Sequence, residues 1–349
     1  MRNTNSNYIT QRNILLKAVL ELGSNNFESL ALQIFRFQAQ YNPIYLSYIN
    51  FLGVRISDIT QLHQIPFLPI SFFKRHRISC CEQQTPSITF ESSGTTASAT
   101  SRHELYDPVL YRTVSETIFE THYDKLSSFH ILALLPSYLE RNNSSLVYMV
   151  NHFIEKSGSA YAGFYLDDHQ LLFNQLKLCL QDASRKTLLI GVTFALLDLA
   201  EKARPIVSEQ DAQRLIIMET GGMKGRRKEM IREEVHQELT EGFGVNNIHS
   251  EYGMTELFSQ GYSKGNGIFQ SGYTMKILLR DINDPLTVFP DHKTYQGSGG
   301  INVIDLANID SCSFIETQDL GRFCPEKDHF EVIGRFDNSD IRGCNLMVL

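Results

Sequence analysis

The sequence predicts an α/β protein: a mostly parallel sheet flanked by helices and closed by a C-terminal antiparallel β subdomain. Three observations carry this reading. From about Ser87 to about Ser250 short apolar runs alternate with helical ones, the pattern of strand–helix–strand units. After about Tyr273 the runs become strand-like and are separated by Gly, Pro and Asp, as in antiparallel sheets. Ahead of both, apolar residues recur every three or four positions, the period of amphipathic helices.

The helical start comprises RNILLKAVLEL and FESLALQIFRFQAQ, with a third helix expected from Ser57, a residue suited to an N-cap. Pro66 and Pro69 then interrupt IPFLPISFFKR, Ile65 to Arg75, which reads as a buried extended connector. In the next segment the candidate strands are SITF, HILALLP, TLLIGV and RLIIME. Its helices are announced by Asp107-Pro108 and by the periodic runs QLLFNQLKLCLQ and KEMIREEVHQEL. TMKILL, GINVIDL, CSFIET and HFEVIG supply the closing strands. The expected division is a helical region over 1–86, an α/β core over 87–272, an antiparallel subdomain over 273–335 and a tail over 336–349.

With 349 residues, 42% of them hydrophobic and 20% charged, the chain can bury a large core. Its polar beginning and the lack of any run near the roughly 20 apolar residues of a membrane helix predict neither secretion nor membrane insertion. The six cysteines, Cys80, Cys81, Cys179, Cys312, Cys324 and Cys344, lack the paired spacing of zinc or dithiol sites, and a cytoplasmic location suits them. A net charge of -7 argues against a nucleic-acid partner. The one basic cluster, Lys224 to Lys228, is followed by Glu229, Glu233 and Glu234 and reads as a solvated helix face.

Three motifs carry chemistry. In TFESSGTTASATSRHEL a strand ends in Ser92-Ser93-Gly94-Thr95-Thr96, whose hydroxyls and exposed N–H groups can wrap phosphates, although a plain Ser/Thr-rich turn has the same composition. It is not a Walker loop. In HSEYGMTELFSQGY, Tyr252, Gly253, Thr255 and Glu256 place an aromatic ring, a close-approach glycine, a hydroxyl and a carboxylate together. They are suited to a base, a phosphate and Mg²⁺, or to nothing more than a strand-to-helix turn. Near the end, Asp319 in QDLGR and Arg335 in GRFD can fix a ribose, although each also sits in a common turn sequence.

Taken in order, these motifs resemble the adenylate-forming superfamily of acyl-CoA synthetases and luciferases. PFLPISFFK, SSGTT, YGMTELFSQ and GRFDNSDIRGCNL narrow the resemblance to its acyl-protein synthetase family, LuxE, from about Ile65 to the C-terminus. The resemblance implies an enzyme that uses ATP and Mg²⁺ to convert a carboxylic acid, a fatty acid by expectation, into an acyl-adenylate and then a thioester. It implies that Ser92, Ser93, Gly94, Thr95 and Thr96 hold the ATP phosphates and that Gly221 and Gly222 lie against adenine. Tyr252 would stack on the base, Thr255 would contact the α-phosphate and Glu256 would bind Mg²⁺. Asp319, assisted by Arg335, would hold the ribose.

Two departures stand out. Members usually follow the Ser/Gly/Thr loop with a lysine; this chain has Arg102 and His103, both read as solvated loop residues, and no lysine between the loop and Lys125. Members also continue into a small C-terminal domain with a catalytic lysine, which this chain is expected to lack. After the hinge comes Arg342-Gly343-Cys344, and the resemblance makes Cys344 the acyl acceptor, from which the acyl group would pass to a partner such as an acyl reductase. Transfer to CoA or another diffusible thiol, and a non-catalytic nucleotide-fold binding protein, are the alternatives.

Overall fold

The second helix, α2 (Phe27–Tyr41), forms where the apolar period predicts it, while α1 (Arg2–Leu20) takes in most of the predicted run from Arg12 but begins well ahead of it. The third does not form at its expected place. It is α3 (Pro43–Phe51), begun by Asn42, whose side chain accepts from the Tyr45 N–H, and by Pro43 in the first turn. Ile56–Asp58 makes only a 3₁₀ turn. The proline-rich connector is extended at β1 (Leu68–Pro69), which pairs in parallel with Ile315 and Glu316. Once past Pro69 the chain is free to coil, and α4 (Phe72–Arg75) replaces the rest of the predicted extended segment. The structure, a computed structural model, describes residues 2–23, 26–81, 84–92, 100–135, 143–166, 168–203, 209–221 and 230–336.

β2 (Ile88–Glu91) and β3 (Arg102–Leu105) form a two-stranded antiparallel sheet of their own. Asp107 then caps α5 (Pro108–His122), accepting from the Val109 and Leu110 N–H groups as its sequence predicted. The alternating part follows: β4 (Phe129–Leu134), α6 (Ser145–Ser157), β5 (Gly163–Phe164), α7 (His169–Gln181), β6 (Lys186–Gly191), α8 (Thr193–Ala203), α9 (Glu209–Ala212), β7 (Leu215–Glu219), α10 (Arg232–Phe243) and β8 (Ile248–Tyr252). Strands β5, β4, β6, β7 and β8 lie side by side, all parallel. Every residue of β4 is buried, as a strand covered by helices on both faces requires.

From β8 the same sheet continues antiparallel through β9 (Gly261–Ser263), β10 (Ile268–Ser271), β11 (Met275–Arg280), β12 (Val288–Phe289), β13 (Ser298–Asp305), β14 (Phe314–Phe323) and β15 (His329–Arg335). The four closing strands read from the sequence are β11, β13, β14 and β15. β9 and β10 went unread because they are three and four residues long in a glycine-rich stretch. The sheet order is β12-β11-β13-β14-β15-β10-β9-β8-β7-β6-β4-β5, with β1 paired to β14.

Two hydrophobic clusters hold this sheet. One lies between the parallel strands and α5 to α8, around Phe129, Leu188 and Leu196. The other seats the N-terminal helices on the antiparallel half, where Phe35 and Tyr45 meet Phe314. β8 lies where the two halves meet: it pairs with β7 in parallel and with β9 antiparallel. Ligands in α/β sheets bind beyond the carboxyl ends of the strands, and the carboxyl end of β8 borders both halves of this sheet.

Candidate active site

A cavity of about 450 Å³ opens there. One wall is Glu251 at the end of β8 and the turn after it, from Gly253 to Leu257; Gln318 and Arg335 of the antiparallel half form another. Ser92, Ser101 and Lys74 also line the cavity, together with Tyr111 of α5, Ser145 of α6 and Ser144, the residue that caps α6.

The turn that carries Thr255 and Glu256 is fixed from beneath. Asp305, fully buried at the end of β13, accepts from the Phe258 and Ser259 N–H groups at 2.7 and 3.0 Å, from the Ser259 hydroxyl at 2.6 Å and from the Ala307 N–H at 3.1 Å. Burial pushes its carboxyl up, and these donors pull the other way. Asn308 donates to the Glu256 carbonyl at 2.8 Å, and His103 Nδ1 bonds to the Thr255 carbonyl at 2.8 Å.

That last contact corrects the reading of His103 as a solvated loop residue: it is 1% exposed and stacks on Phe258. Its strand, β3, turns Arg102 outward and His103 inward, an alternation that a reading of residues 101–103 as loop could not supply. Arg102 is solvated as expected, its side chain 70% exposed and 3.4 Å from Glu91. Asp305, Asn308 and His103 were all missed as site residues because their partners lie far away in sequence.

Glu256 lines the cavity yet is only 5% exposed. Burial raises its carboxyl, against a hydrogen bond from Ser101 and the charges of Arg335 and Lys74. Ser92 and Ser101 pair across the loop base: the Ser92 N–H donates to the Ser101 carbonyl at 3.1 Å and the Ser101 N–H to the Ser92 hydroxyl at 2.9 Å. Asp319 and Arg335 face each other across β14 and β15, Arg335 Nε donating to the carboxylate at 2.9 Å. The Tyr252 hydroxyl donates to the other carboxylate oxygen at 3.0 Å. The Tyr252 ring is buried edge-on against Phe269 and Phe330, and neither Tyr252 nor Asp319 is among the side chains that line the cavity.

Gly221 follows β7 with φ +74, a left-handed conformation that glycine adopts without strain, and its N–H donates to Glu219 at 2.6 Å. Ser93, Gly94, Thr95, Thr96, Gly222 and Cys344 lie outside the described residues, as do Lys224 to Lys228 and Asp337. Lys74 was not singled out from the sequence, since the family's lysine was sought after the Ser/Gly/Thr loop. The fold brings it to the cavity from the other direction, on α4.

The donor set fits a nucleotide with its cation. Among the described residues no group of three His, Cys, Asp or Glu side chains could hold a metal alone. Glu256, a buried carboxylate opening on the cavity, would supply one ligand, leaving the others to phosphate oxygens and water, the usual way Mg²⁺ is held beside a nucleotide.

Similar folds are known. A 2-hydroxyisobutyryl-CoA ligase, solved in an open conformation with 2-HIB-AMP and CoA, superposes with a TM-score of 0.61 at 13% identity, over 91% of this chain and 71% of that one. An acyl acid amido synthetase, AtGH3.15, solved in complex with 2,4-DB, gives a TM-score of 0.54 at 14% identity, over 92% and 70%. At these identities the likeness is one of fold. No curated protein matches the sequence. The family model described as acyl-protein synthetase, LuxE, matches residues 17–349, nearly the whole sequence, and the chain therefore belongs to the LuxE acyl-protein synthetase family.

Proposed function

We propose that this protein uses ATP to activate a carboxylic acid as its acyl-adenylate, passes the acyl group to its own Cys344 as a thioester, and delivers it to a partner such as an acyl reductase. The observation that carries the reading is the meeting of Thr255 and Glu256 with Ser92, Lys74 and Arg335 at one cavity where the parallel and antiparallel halves of the sheet join.

The substrate carboxylate attacks the α-phosphorus of ATP, the bond to the β-phosphate oxygen breaks, and pyrophosphate leaves. No general base is needed, because the acid is already ionised at neutral pH. The barrier is electrostatic: two anions approach while charge builds on the phosphate oxygens, and fixed donors in a water-poor site lower it best. Bound Mg²⁺ neutralises part of that charge. In this chain Thr255 and Ser92 offer hydroxyls, Glu256 is the carboxylate for the cation, and Lys74 and Arg335 bring positive charge. Asp319 would receive the ribose hydroxyls, held in place by Tyr252 and Arg335. In the second half-reaction the Cys344 thiolate attacks the acyl carbon and AMP leaves.

Support for Cys344 comes from the other five cysteines. All are buried, and burial pushes Cys80 well up, Cys81, Cys179 and Cys312 to about 12 and Cys324 to about 11. Such thiols are poor nucleophiles at neutral pH. Mass spectrometry of the intact protein after incubation with Mg-ATP and a panel of carboxylic acids tests the whole reading. A covalent acyl adduct is expected; ATP consumption without an adduct would move the acceptor to a diffusible thiol.

A further inference from the structure

The cavity holds a carboxyl group that the reaction above does not use. Glu251 and Tyr252 are neighbours on β8, so their side chains leave opposite faces of the sheet. Tyr252 turns toward Asp319, Phe269 and Phe330. Glu251 turns the other way, into the company of Glu219, Tyr111 and Tyr262, and opens on the cavity. Its carboxyl fills the space beside Gly253, where an added Cβ would fall 2.3 Å from Glu251 Oε1. A side chain in place of Gly253 would therefore displace this carboxyl from its position.

The two acids of this wall are treated differently by the fold. Burial works to raise Glu219, but His236, Ser250, the Gly221 N–H and the Thr193 hydroxyl, the last at 2.9 Å, bring it below its ordinary range. The Glu251 carboxyl has no hydrogen-bond or ion-pair partner among the described residues. Burial, and then the charge of Glu219, raise it to about 8. A second unmet acceptor belongs to the same cavity: Gln260, 2% exposed, donates through Nε2 to the Phe258 carbonyl at 2.9 Å while its Oε1 is buried without a partner.

We infer that the α5–α6 side of the cavity is the acyl end of the site, and that it selects a carboxylic acid whose chain bears a hydrogen-bond donor, a hydroxyl or an ammonium group, received by Glu251 with Gln260 beside it. The inference rests on the adenylation reading. The reacting carboxylate must reach the phosphates near Thr255 and Glu256, and Glu251 precedes them along the same strand and turn, on the face away from Asp319. Leu146 and Met149 of α6 give the chain an apolar flank, while a plain alkyl chain would cover Glu251 and leave it with neither water nor partner.

The test is pyrophosphate exchange by the full chain with Mg-ATP and straight-chain acids of increasing length, each offered plain, hydroxylated and aminated. The substituted acids should exceed their plain counterparts in kcat/KM by roughly tenfold or more, since a site built for a donor rejects the analogue that lacks one. Glu251→Leu should erase that margin. Glu251→Ala, which loosens the cavity instead of crowding it, serves if the leucine variant fails to fold. Glu251→Gln separates the two donors: a margin kept points to a hydroxyl, a margin lost to an ammonium group. If plain acids are preferred, and neither Glu251→Leu nor Glu251→Ala changes the ranking, the inference fails while adenylation stands. If no acid supports exchange in a protein that binds ATP, both fail.

Discussion

His103 and Thr255 are joined by a 2.8 Å hydrogen bond that ties the strand leaving the Ser92–Ser101 pair to the turn bearing the catalytic candidates. The Thr255 carbonyl can only accept, so the proton sits on Nδ1. Burial drives the imidazole down to about 4, which keeps the ring neutral around pH 7.

Removing this contact should act on the chemistry before it acts on binding. His103→Ala is predicted to lower kcat for pyrophosphate exchange by about 10- to 100-fold with a smaller change in the KM for ATP, because small misplacements of a catalytic turn cost that much. Wild-type kcat would show that Asp305 and Asn308 suffice to hold the turn.

The same residue has a pH signature. Its folded pKa, about 4, is below the ordinary 6.5, so between these values the unfolded chain binds more protons. The stability it contributes is present above pH 6.5 and is lost as pH falls toward 4, by up to roughly 3 kcal/mol. Urea unfolding should therefore show a shallower acid loss for His103→Gln than for the wild type over that window, other buried histidines being common to both. Equal slopes would contradict the assignment.

The sheet was legible because its strands are apolar and its helices periodic: β4, β6 and β7 and the four closing strands stand out by composition alone. What failed were short elements fixed by partners. α3 depends on Asn42 reaching Tyr45, and β9 and β10 on neighbouring strands. In the site, the Thr255-Glu256 turn was readable as a motif. Its supports were not, because Asp305, Asn308 and His103 act through backbone contacts between distant segments. Lys74 was hidden the same way, since only folding carries α4 to the cavity.

Glu256→Ala should remove the carboxylate proposed to hold Mg²⁺ and suppress acid-dependent exchange by roughly 100-fold or more. The residual activity should require more Mg²⁺ to saturate. Near-normal exchange with an unchanged Mg²⁺ dependence would remove Glu256 from the metal site.

Lys74 is an exposed side chain at the cavity, on the side of Ser92 and Ser101, and its charge is felt by Glu256. If it answers the negative charge of the phosphates, Lys74→Ala should reduce kcat/KM for ATP by about 10- to 100-fold while Lys74→Arg recovers part of the loss. An alanine variant that exchanges like wild type would leave the charge to Arg335 and to residues outside the described segments.

Asp319→Ala should weaken ATP binding far more than Asp337→Ala. Asp319 is 6% exposed and already organised by Tyr252 and Arg335, so a ribose hydroxyl would meet a fixed acceptor. Its loss also frees Arg335, so some fall in Tm is expected. Calorimetric Kd values for ATP that agree between the two variants would count against the ribose assignment.

The acceptor is the last question, and it turns on what distinguishes one thiol from five others. The described cysteines are all buried and raised by burial, which disfavours the thiolate that attacks an acyl-adenylate. Cys81 is further occupied by contact with the Tyr8 hydroxyl and Asp310. Cys344 follows Gly343 and has Arg342 two positions before it in sequence, and a guanidinium that lies near a thiol stabilises its ionised form. Cys344→Ser is therefore predicted to form acyl-AMP at the normal rate, read as acid-dependent pyrophosphate exchange, yet to retain no label from radioactive acid in a hydroxylamine-labile bond. Cys324→Ser, which changes the described thiol raised least, should label like wild type, and so should Cys179→Ser. Label retained by Cys344→Ser, or mapped by peptide mass spectrometry to any of the buried five, would overturn the acceptor and leave activation intact. Loss of exchange in Cys344→Ser would instead place that residue in the first half-reaction, where nothing in the proposed chemistry calls for a thiol.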